Sequence, residues 1–179
     1  QSYLRNQELH NVNFSHSDLS KSVFTQTFGS ILSLGFSPDG QLIATSDVNG
    51  YVRLWNASNG QPHLTIQAHR KWVWSVSFSP DNHRIASGSD DTTVKIWDTT
   101  TGQCLSTLAG HTQKVWAVTF SGEGDLVASG SEDNTIRIWD ASTGDCVRIL
   151  EGHERKVWGL DFNEDDGMLV SSSQDGTAK

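Results

Sequence analysis

Cysteines and basic residues are scarce in this chain of 179 residues, and both scarcities narrow its possible functions. The two cysteines, Cys104 and Cys146, are too few for a disulfide framework and form no CxxC pair of the kind that binds zinc. We therefore expect free thiols and a reducing, cytoplasmic location. Lysine and arginine number 13 against 21 acidic residues, a formal charge of −8, which disfavours nucleic acids and anionic membranes as partners.

Long apolar runs and the common catalytic motifs are absent from the sequence as well. No run approaches the roughly 20 apolar residues of a membrane helix, and the first ten residues lack the apolar segment of a signal peptide. GxxxxGK, HExxH, GxSxG and a glycine-rich dinucleotide turn are all missing. We therefore expect no enzyme activity, no cofactor and no metal site. Because residue 1 is not methionine, we expect the chain to begin inside a longer polypeptide.

What the sequence does contain is one unit that recurs every 42 residues, without insertion or deletion from about Phe24 onward. A period of about 42 residues is typical of the four-stranded blades of propeller proteins. Three sets of residues keep the step: Trp55, Trp97 and Trp139; His69, His111 and His153; Asp91, Asp133 and Asp175.

Each unit also carries the local signals of short strands. "SPDG" (37–40) and "SPDN" (79–82) are turn tetrapeptides with proline at the second position. In the third copy, short apolar runs separated by turn residues predict strands near 115–121, 126–131, 135–140 and 145–151. No segment keeps a 3.6-residue apolar period over ten residues, so the sequence predicts an all-β fold.

The motifs in these units resemble those of the WD40 family over about residues 24–179. They are "IWD" (96–98 and 138–140), "GH" (110–111 and 152–153) and the intervening "SGSxD". The resemblance implies a β-propeller arc of three complete four-stranded blades and a partial fourth. We place the blades at 26–67, 68–109, 110–151 and 152–179, the first degenerate and the last truncated. Since such propellers commonly have about seven blades, we expect a fragment that could self-associate through exposed blade edges.

The resemblance further implies a buried hydrogen-bond tetrad in each regular blade. In it an indole N–H donates to a serine, the serine to a histidine, and the histidine to an aspartate, which satisfies each buried polar group. A hydrolase triad is the alternative, but repetition in every blade favours a structural role. The tetrads comprise His69, Ser87, Asp91 and Trp97; His111, Ser129, Asp133 and Trp139; and His153, Ser171 and Asp175. Blade 1 departs from the pattern, with Thr27 for histidine, Asn49 for aspartate, and Thr45 and Trp55 retained.

Residues 1–25 admit two interpretations. Apolar residues recur every five positions, which resembles a short run of pentapeptide repeats. Alternatively, "KSVFT" (21–25) aligns 42 residues before "HLTIQ" (63–67) and would be an outer blade strand that closes a ring. The two interpretations concern different residues and both stay open. The five apolar positions are Leu4, Leu9, Phe14, Leu19 and Phe24.

Positions that differ between the copies predict a partner-binding rim. They lie three and five residues after each histidine, and just before the turn aspartate. In the family such positions lie on one rim of the propeller, which is the usual partner-binding face. Aromatic and charged residues of this kind are typical of interaction hot spots. Strict alternation offers another interpretation, in which Trp116 shares a strand face with Val118 and Phe120 and belongs to the core. The predicted rim comprises Trp72, Trp74, Asp90, Lys114, Trp116, Glu132, Lys156 and Trp158.

The similarity between the copies, together with the pentapeptide-like lead, resembles bacterial WD40 proteins. In these the propeller is often joined to a signalling ATPase of the NACHT/NB-ARC type. We therefore expect a protein-interaction or ligand-sensing platform that binds a protein or peptide on its rim within a larger bacterial signalling protein. A free-standing scaffold subunit of a multiprotein complex is the alternative. A hydrolase or other enzyme with a site in the propeller channel is the least favoured.

Overall fold

Fourteen strands and no helix make up the part of the chain that the computed structural model describes, residues 30–163 and 167–179. The prediction of an all-β, partial propeller is confirmed. Across these two ranges, no helix is long and apolar enough to cross a membrane. The proposed lead at 1–25 and Thr27 lie outside the described residues.

Twelve of the strands form three antiparallel sheets of four, in which strands adjacent in sequence pair with each other. Blade 1 contains β1 (Ile31–Phe36), β2 (Leu42–Asp47), β3 (Tyr51–Asn56) and β4 (Pro62–Gln67). Blade 2 contains β5 (Val73–Phe78), β6 (Arg84–Ser89), β7 (Thr93–Asp98) and β8 (Cys104–Ala109). Blade 3 contains β9 (Val115–Phe120), β10 (Leu126–Ser131), β11 (Ile136–Asp140) and β12 (Cys146–Leu150).

Blade 4 contributes a pair of strands and the start of a third. β13 (Val157–Phe162) pairs with β14 (Leu169–Ser173). Ser171 then exchanges backbone hydrogen bonds with Lys179, at 2.8 and 3.0 Å, as a third strand would. The four sheets agree in position with the blades predicted from the sequence, whose boundaries stay a prediction.

The hairpin that follows the third strand of blade 2 shows how the sequence shapes a turn. The Asp98 carboxylate accepts hydrogen bonds from the backbone N–H groups of Thr100 and Thr101, at 2.9 and 2.7 Å. Gly102 then takes a φ of +72°, a left-handed conformation that glycine adopts at no steric cost. The "DTTTG" sequence therefore reverses the chain between β7 and β8.

The first strands of the sheets lie side by side, β1 against β5, β5 against β9, and β9 against β13. Each apolar core lies between two blades. The cluster between blades 2 and 3 joins Val94, Ile96 and Leu108 of blade 2 to Val115 and Phe120 of blade 3. Corresponding clusters lie between blades 1 and 2 and between blades 3 and 4. Each sheet is thus stabilised by burying its face against a neighbouring sheet.

The glycine of "SGS" permits this close approach of the blades. A Cβ atom on Gly88 of β6 would lie 2.8 Å from Cγ1 of Val115 and 2.9 Å from Cγ1 of Val118. Both distances are too short for carbon–carbon contact. Glycine at this position therefore lets β9 pack directly onto β6.

We expect Gly88→Ala to lower the free energy of unfolding by about 1–3 kcal/mol, because the added methyl group overpacks the interface. Gly35→Ala is the matched control, since Gly35 also lies in a strand and its Cβ would meet no atom within 4 Å. The control should be neutral or slightly stabilising. Urea denaturation of both variants measures the difference. Equal midpoints for the two variants would contradict the close contact.

Candidate interaction surface

Hydrogen-bonded tetrads connect the strands of blades 2 and 3, and three residues of the same kind do so in blade 4. In blade 3, His111 Nε2 lies 2.8 Å from Ser129 Oγ and Nδ1 lies 2.8 Å from Asp133 Oδ2. Trp139 Nε1 donates to Ser129 Oγ at 2.8 Å. The residues predicted for blade 2 have the same arrangement, at 2.8, 2.8 and 2.9 Å. In blade 4, His153 contacts Ser171 and Asp175 at 2.8 Å each.

The tetrad aspartates also fix the loops that lead into the inner strands. Asp133 Oδ2 accepts the backbone N–H of Thr112 at 3.0 Å, two residues before Lys114. Asp175 Oδ2 accepts the backbone N–H of Glu154 at 3.0 Å, two residues before Lys156. The tetrads therefore hold in place the backbone that carries the predicted rim lysines.

The surroundings of the tetrad shift the pKa values of its titratable groups. Burial lowers the pKa of His111, and the neighbouring carboxylate of Asp133 only partly opposes this. Burial alone would raise the pKa of Asp133, but hydrogen bonds from Thr135, Thr112 and His111 outweigh it and bring the pKa to about 2. For Asp91, hydrogen bonds from His69 and Thr93 likewise overcome burial, and its pKa is also about 2.

The described tetrads are closed to substrates and to metal ions. Each histidine, His69, His111 and His153, uses both ring nitrogens on internal partners, so none has a nitrogen free to bind a metal. The pairing of histidine with serine and aspartate is that of a hydrolase triad, but the serines Ser87, Ser129 and Ser171 are buried, so no hydroxyl is exposed to attack a substrate. Among residues 30–163 and 167–179, no three histidine, cysteine or acidic side chains lie close enough to hold a metal ion.

Blade 1 has a buried ion pair that the sequence analysis missed. Asp47 is fully buried and contacts Arg53 Nη1 at 2.6 Å. It also accepts the backbone N–H groups of Asn49 and Tyr51, at 2.9 and 3.0 Å. Trp55 Nε1 still donates to Thr45 at 2.9 Å. The signal in the sequence was an aspartate at the position that holds serine in the other copies, Ser89, Ser131 and Ser173.

Four tryptophans and one lysine form a continuous row across blades 2, 3 and 4. The ring centroids of Trp72 and Trp74 are 5.3 Å apart, and those of Trp74 and Trp116 are 4.2 Å apart. Lys156 Nζ lies 4.2 Å from the ring centroid of Trp116 and 5.8 Å from that of Trp158, both within cation–π range. Trp72 and Trp158 at the two ends are 45% and 51% exposed. We call this row the tryptophan rim.

A bulge at the same position of each inner strand explains why these side chains are not in the core. Trp74, Trp116 and Trp158 are each skipped in the pairing with the second strand. The core row of β9 consequently runs through Val115, Val118 and Phe120 and does not include Trp116. The alternation argument, which placed Trp116 on the face of Val118 and Phe120, is wrong because it assumed a regular strand.

Polar groups beside the rim are arranged differently in two neighbouring blades. Trp74 Nε1 donates to Asp90 Oδ1 at 2.5 Å, and Lys114 Nζ lies 3.4 Å from Asp90 Oδ2. Trp116 Nε1 is buried and has no hydrogen-bond partner among the residues that the structure describes. The structure therefore brings together Asp90 and Lys114 of the predicted rim. The corresponding residues 42 positions later, Glu132 and Lys156, form no ion pair with each other.

Comparison with known proteins agrees with the repeat seen in the structure. The family model described as "WD domain, G-beta repeat" matches residues 20–56, 60–98, 102–140 and 144–179. A stretch of 73 residues, 41% of this chain, is 49% identical to an uncharacterized WD repeat-containing protein of Nostoc sp., of which it covers 6%. A stretch of 56 residues, 31% of the chain, is 50% identical to another such protein of Nostoc sp., of which it covers 4%. The chain thus spans only a small part of these relatives.

The tetrad of blade 3 can be tested by removing its central hydroxyl. Ser129→Ala leaves His111 Nε2 and Trp139 Nε1 buried without a partner, and we expect a loss of about 1–3 kcal/mol in the free energy of unfolding. Thr45→Ala is the comparison and should cost less, because within the described part of the chain Thr45 accepts the Trp55 indole N–H but contacts no histidine. Chemical denaturation measures both. An unchanged midpoint for Ser129→Ala would show that the network contributes nothing to stability.

The pKa shifts predict that acid destabilises the fold in two stages. His111 has a lowered pKa, so protonation favours the unfolded chain, and stability should fall as the pH drops below about 6.5. Asp91 and Asp133 have a pKa of about 2 in the fold, so their contribution is present above about pH 4 and is lost toward pH 2. Urea midpoints at pH 7.5, 5 and 3 measure both stages, with Asp133→Asn expected to flatten the second. A midpoint independent of pH would contradict these shifts.

Proposed function

Since the chain belongs to the WD40 repeat family, whose repeats indicate protein-interaction scaffolds, we propose that it binds a protein or peptide through the tryptophan rim. WD40 repeat proteins are generally non-enzymatic platforms, and we propose the same for this chain. The burial of the tetrad serines Ser87 and Ser129, each of which also accepts an indole N–H, supports that part of the proposal.

The observation that carries the proposal is the exposure of the row of tryptophans outside the core. Burying a tryptophan side chain removes about 150–250 Å² from water, so leaving two of them half exposed forgoes several kcal/mol of fold stability. Trp72 and Trp158 contribute to none of the three apolar clusters. Aromatic side chains flanked by charged ones are the composition of binding hot spots. A partner that covers the rim would recover this apolar burial.

We further propose that this scaffold is the sensing part of a larger bacterial signalling protein of the NACHT/NB-ARC type, in the cytoplasm. Support comes from the relatives in Nostoc sp., because the matched segments make up only 6% and 4% of those proteins. A nucleotide-binding loop in sequence contiguous with this chain would be the decisive observation.

The two ends of the described arc support a second, weaker association. Leu34 and Phe36 of blade 1 are 68% and 63% exposed, whereas the equivalent Val118 and Phe120 of blade 3 are buried against blade 2. Met168 and Val170 are exposed at the opposite end. These apolar faces would suit a further blade, so we propose that the chain self-associates when none covers them.

The rim proposal predicts that folding and binding depend on different tryptophans. Trp139→Ala removes a buried tetrad member and should cost about 3–5 kcal/mol of stability. Trp72→Ala and Trp158→Ala should each cost the fold under about 1 kcal/mol. Peptides that bind the whole chain can be selected from a displayed library. Each of these two substitutions should reduce the binding free energy of such peptides by about 2 kcal/mol or more, which is a roughly 30-fold loss of affinity. Denaturation and binding titrations measure the two effects separately.

The matched control is Leu105→Ala, which removes a similarly exposed apolar side chain, 52% accessible, from outer strand β8 away from the rim. It should change neither stability nor peptide affinity. If Trp158→Ala destabilised the fold as strongly as Trp139→Ala, the rim would be part of the core. If the selected peptides bound the Trp72→Ala and Trp158→Ala variants with the same affinity as the wild type, the rim would not be the binding surface.

A further inference from the structure

Three kinds of side chain recur at equivalent positions of the rim, first where blade 2 meets blade 3 and again where blade 3 meets blade 4. Trp74, Asp90 and Lys114 form the first set, and Trp116, Glu132 and Lys156, each 42 residues later, form the second. In the first set one carboxylate serves two donors. Its Oδ1 accepts the indole N–H at 2.5 Å and its Oδ2 pairs with the lysine ammonium at 3.4 Å.

The second set has the same donors but no carboxylate between them. The N–H of Trp116 is buried without an acceptor. The ammonium of Lys156 lies on the π-face of Trp116 at 4.2 Å and pairs with no carboxylate in the described ranges 30–163 and 167–179. The side chain of Glu132 makes no hydrogen bond or ion pair with any described residue. An indole N–H and an ammonium group are therefore left for an acceptor that the fold does not supply.

We propose that Trp116 and Lys156 form a subsite for a carboxylate side chain of the partner peptide. Asp90 shows how such a group would bind, with one oxygen on the indole N–H and the other on the ammonium. This inference rests on the proposed binding function of the rim and names the chemistry of its partner. The partner is an acidic peptide with apolar residues beside the acid, because Trp158 and Trp72 flank the subsite along the rim.

A small internal movement admits the ligand. Since the Trp116 N–H is covered and the Lys156 ammonium lies on the ring, the lysine side chain rotates away from the ring as the carboxylate enters. The lysine gives up its cation–π contact with the ring and gains a charge-assisted contact with the carboxylate, while the indole N–H gains an acceptor that the fold does not provide. Arg155, adjacent in the chain and exposed, adds positive charge that attracts the same ligand.

Glu132 weakens the subsite in its present form. It stands where Asp90 stands in blade 2, but it is longer by one methylene group and binds neither donor. Its negative charge next to the subsite repels an incoming carboxylate. The residue therefore lowers the affinity of the rim for acidic peptides.

The first test exchanges the charge on the peptide. Peptides selected against the whole chain are resynthesised with each Asp or Glu replaced by Asn or Gln, and their affinities are compared by titration. We expect one acidic position whose amide form binds at least 10-fold more weakly to the wild type. Trp116→Phe, which removes the N–H but keeps an aromatic ring, should reduce that ratio to about threefold or less.

The second test changes the acidic residue next to the subsite, Glu132. Glu132→Gln should raise the affinity for the acidic peptide about 3- to 10-fold, because it removes a like charge. Glu132→Asp should lower that affinity by a similar factor, because the shorter carboxylate would pair with the indole N–H and the ammonium as Asp90 does in blade 2. Asp145→Asn is the control, because it removes a negative charge from the exposed turn between β11 and β12, at the opposite end of β11 from Glu132. It should leave the ratio of acidic to amide peptide affinity unchanged.

The outcomes separate this inference from the proposed function. If peptide binding depended on Trp72 and Trp158 but the acidic and amide forms bound equally well, the carboxylate subsite would be refuted and the proposed function of the rim would be retained. An acid preference that Glu132→Gln abolishes would also overturn it, because Glu132 would then be a binding residue. If no selected peptide depended on the rim tryptophans, the proposed function would fail and the subsite with it.

Discussion

The contact of one blade with the next is the constraint on which the rest of the structure depends. No described sheet has an apolar core of its own, since each cluster combines residues from two blades. A sheet face is too flat to bury its apolar side chains without a second layer. This requirement explains why glycine stands at position 88 and valine at position 115, and why Leu34 and Phe36 of blade 1 are exposed.

The tetrads connect this packing to the surface. In blade 3 the buried Ser129 joins β10 to Trp139 of β11 and to His111 in the loop before β9. Asp133 then accepts a backbone N–H of that same loop. That loop carries Lys114 and leads directly into β9, whose second residue is Trp116, so a polar network in the interior fixes the backbone on which the rim stands. A rim held in this way would lose little conformational entropy on binding a partner.

Most of the fold could be predicted from the sequence because the repeat is regular. The 42-residue step, the turn tetrapeptides and the short apolar runs near 126–131 and 135–140 are local signals, and strands form where they predict them. The bulge at Trp116 could not be predicted, since it depends on the pairing between β9 and β10. The ion pair of Asp47 with Arg53 was missed for a similar reason: its two residues are uninformative until β2 and β3 are placed side by side.

Repetition also makes small differences between the blades interpretable. Trp74 and Trp116 occupy equivalent bulges, so backbone geometry does not explain why one indole N–H is paired and the other is not. The acidic partners differ by one methylene group. The carboxylate of Asp90 reaches both the indole and Lys114, whereas Glu132 reaches neither the indole nor Lys156. In a scaffold built from near-identical units, we therefore expect specificity for a partner to arise where one unit has an unpaired donor that the equivalent unit pairs internally.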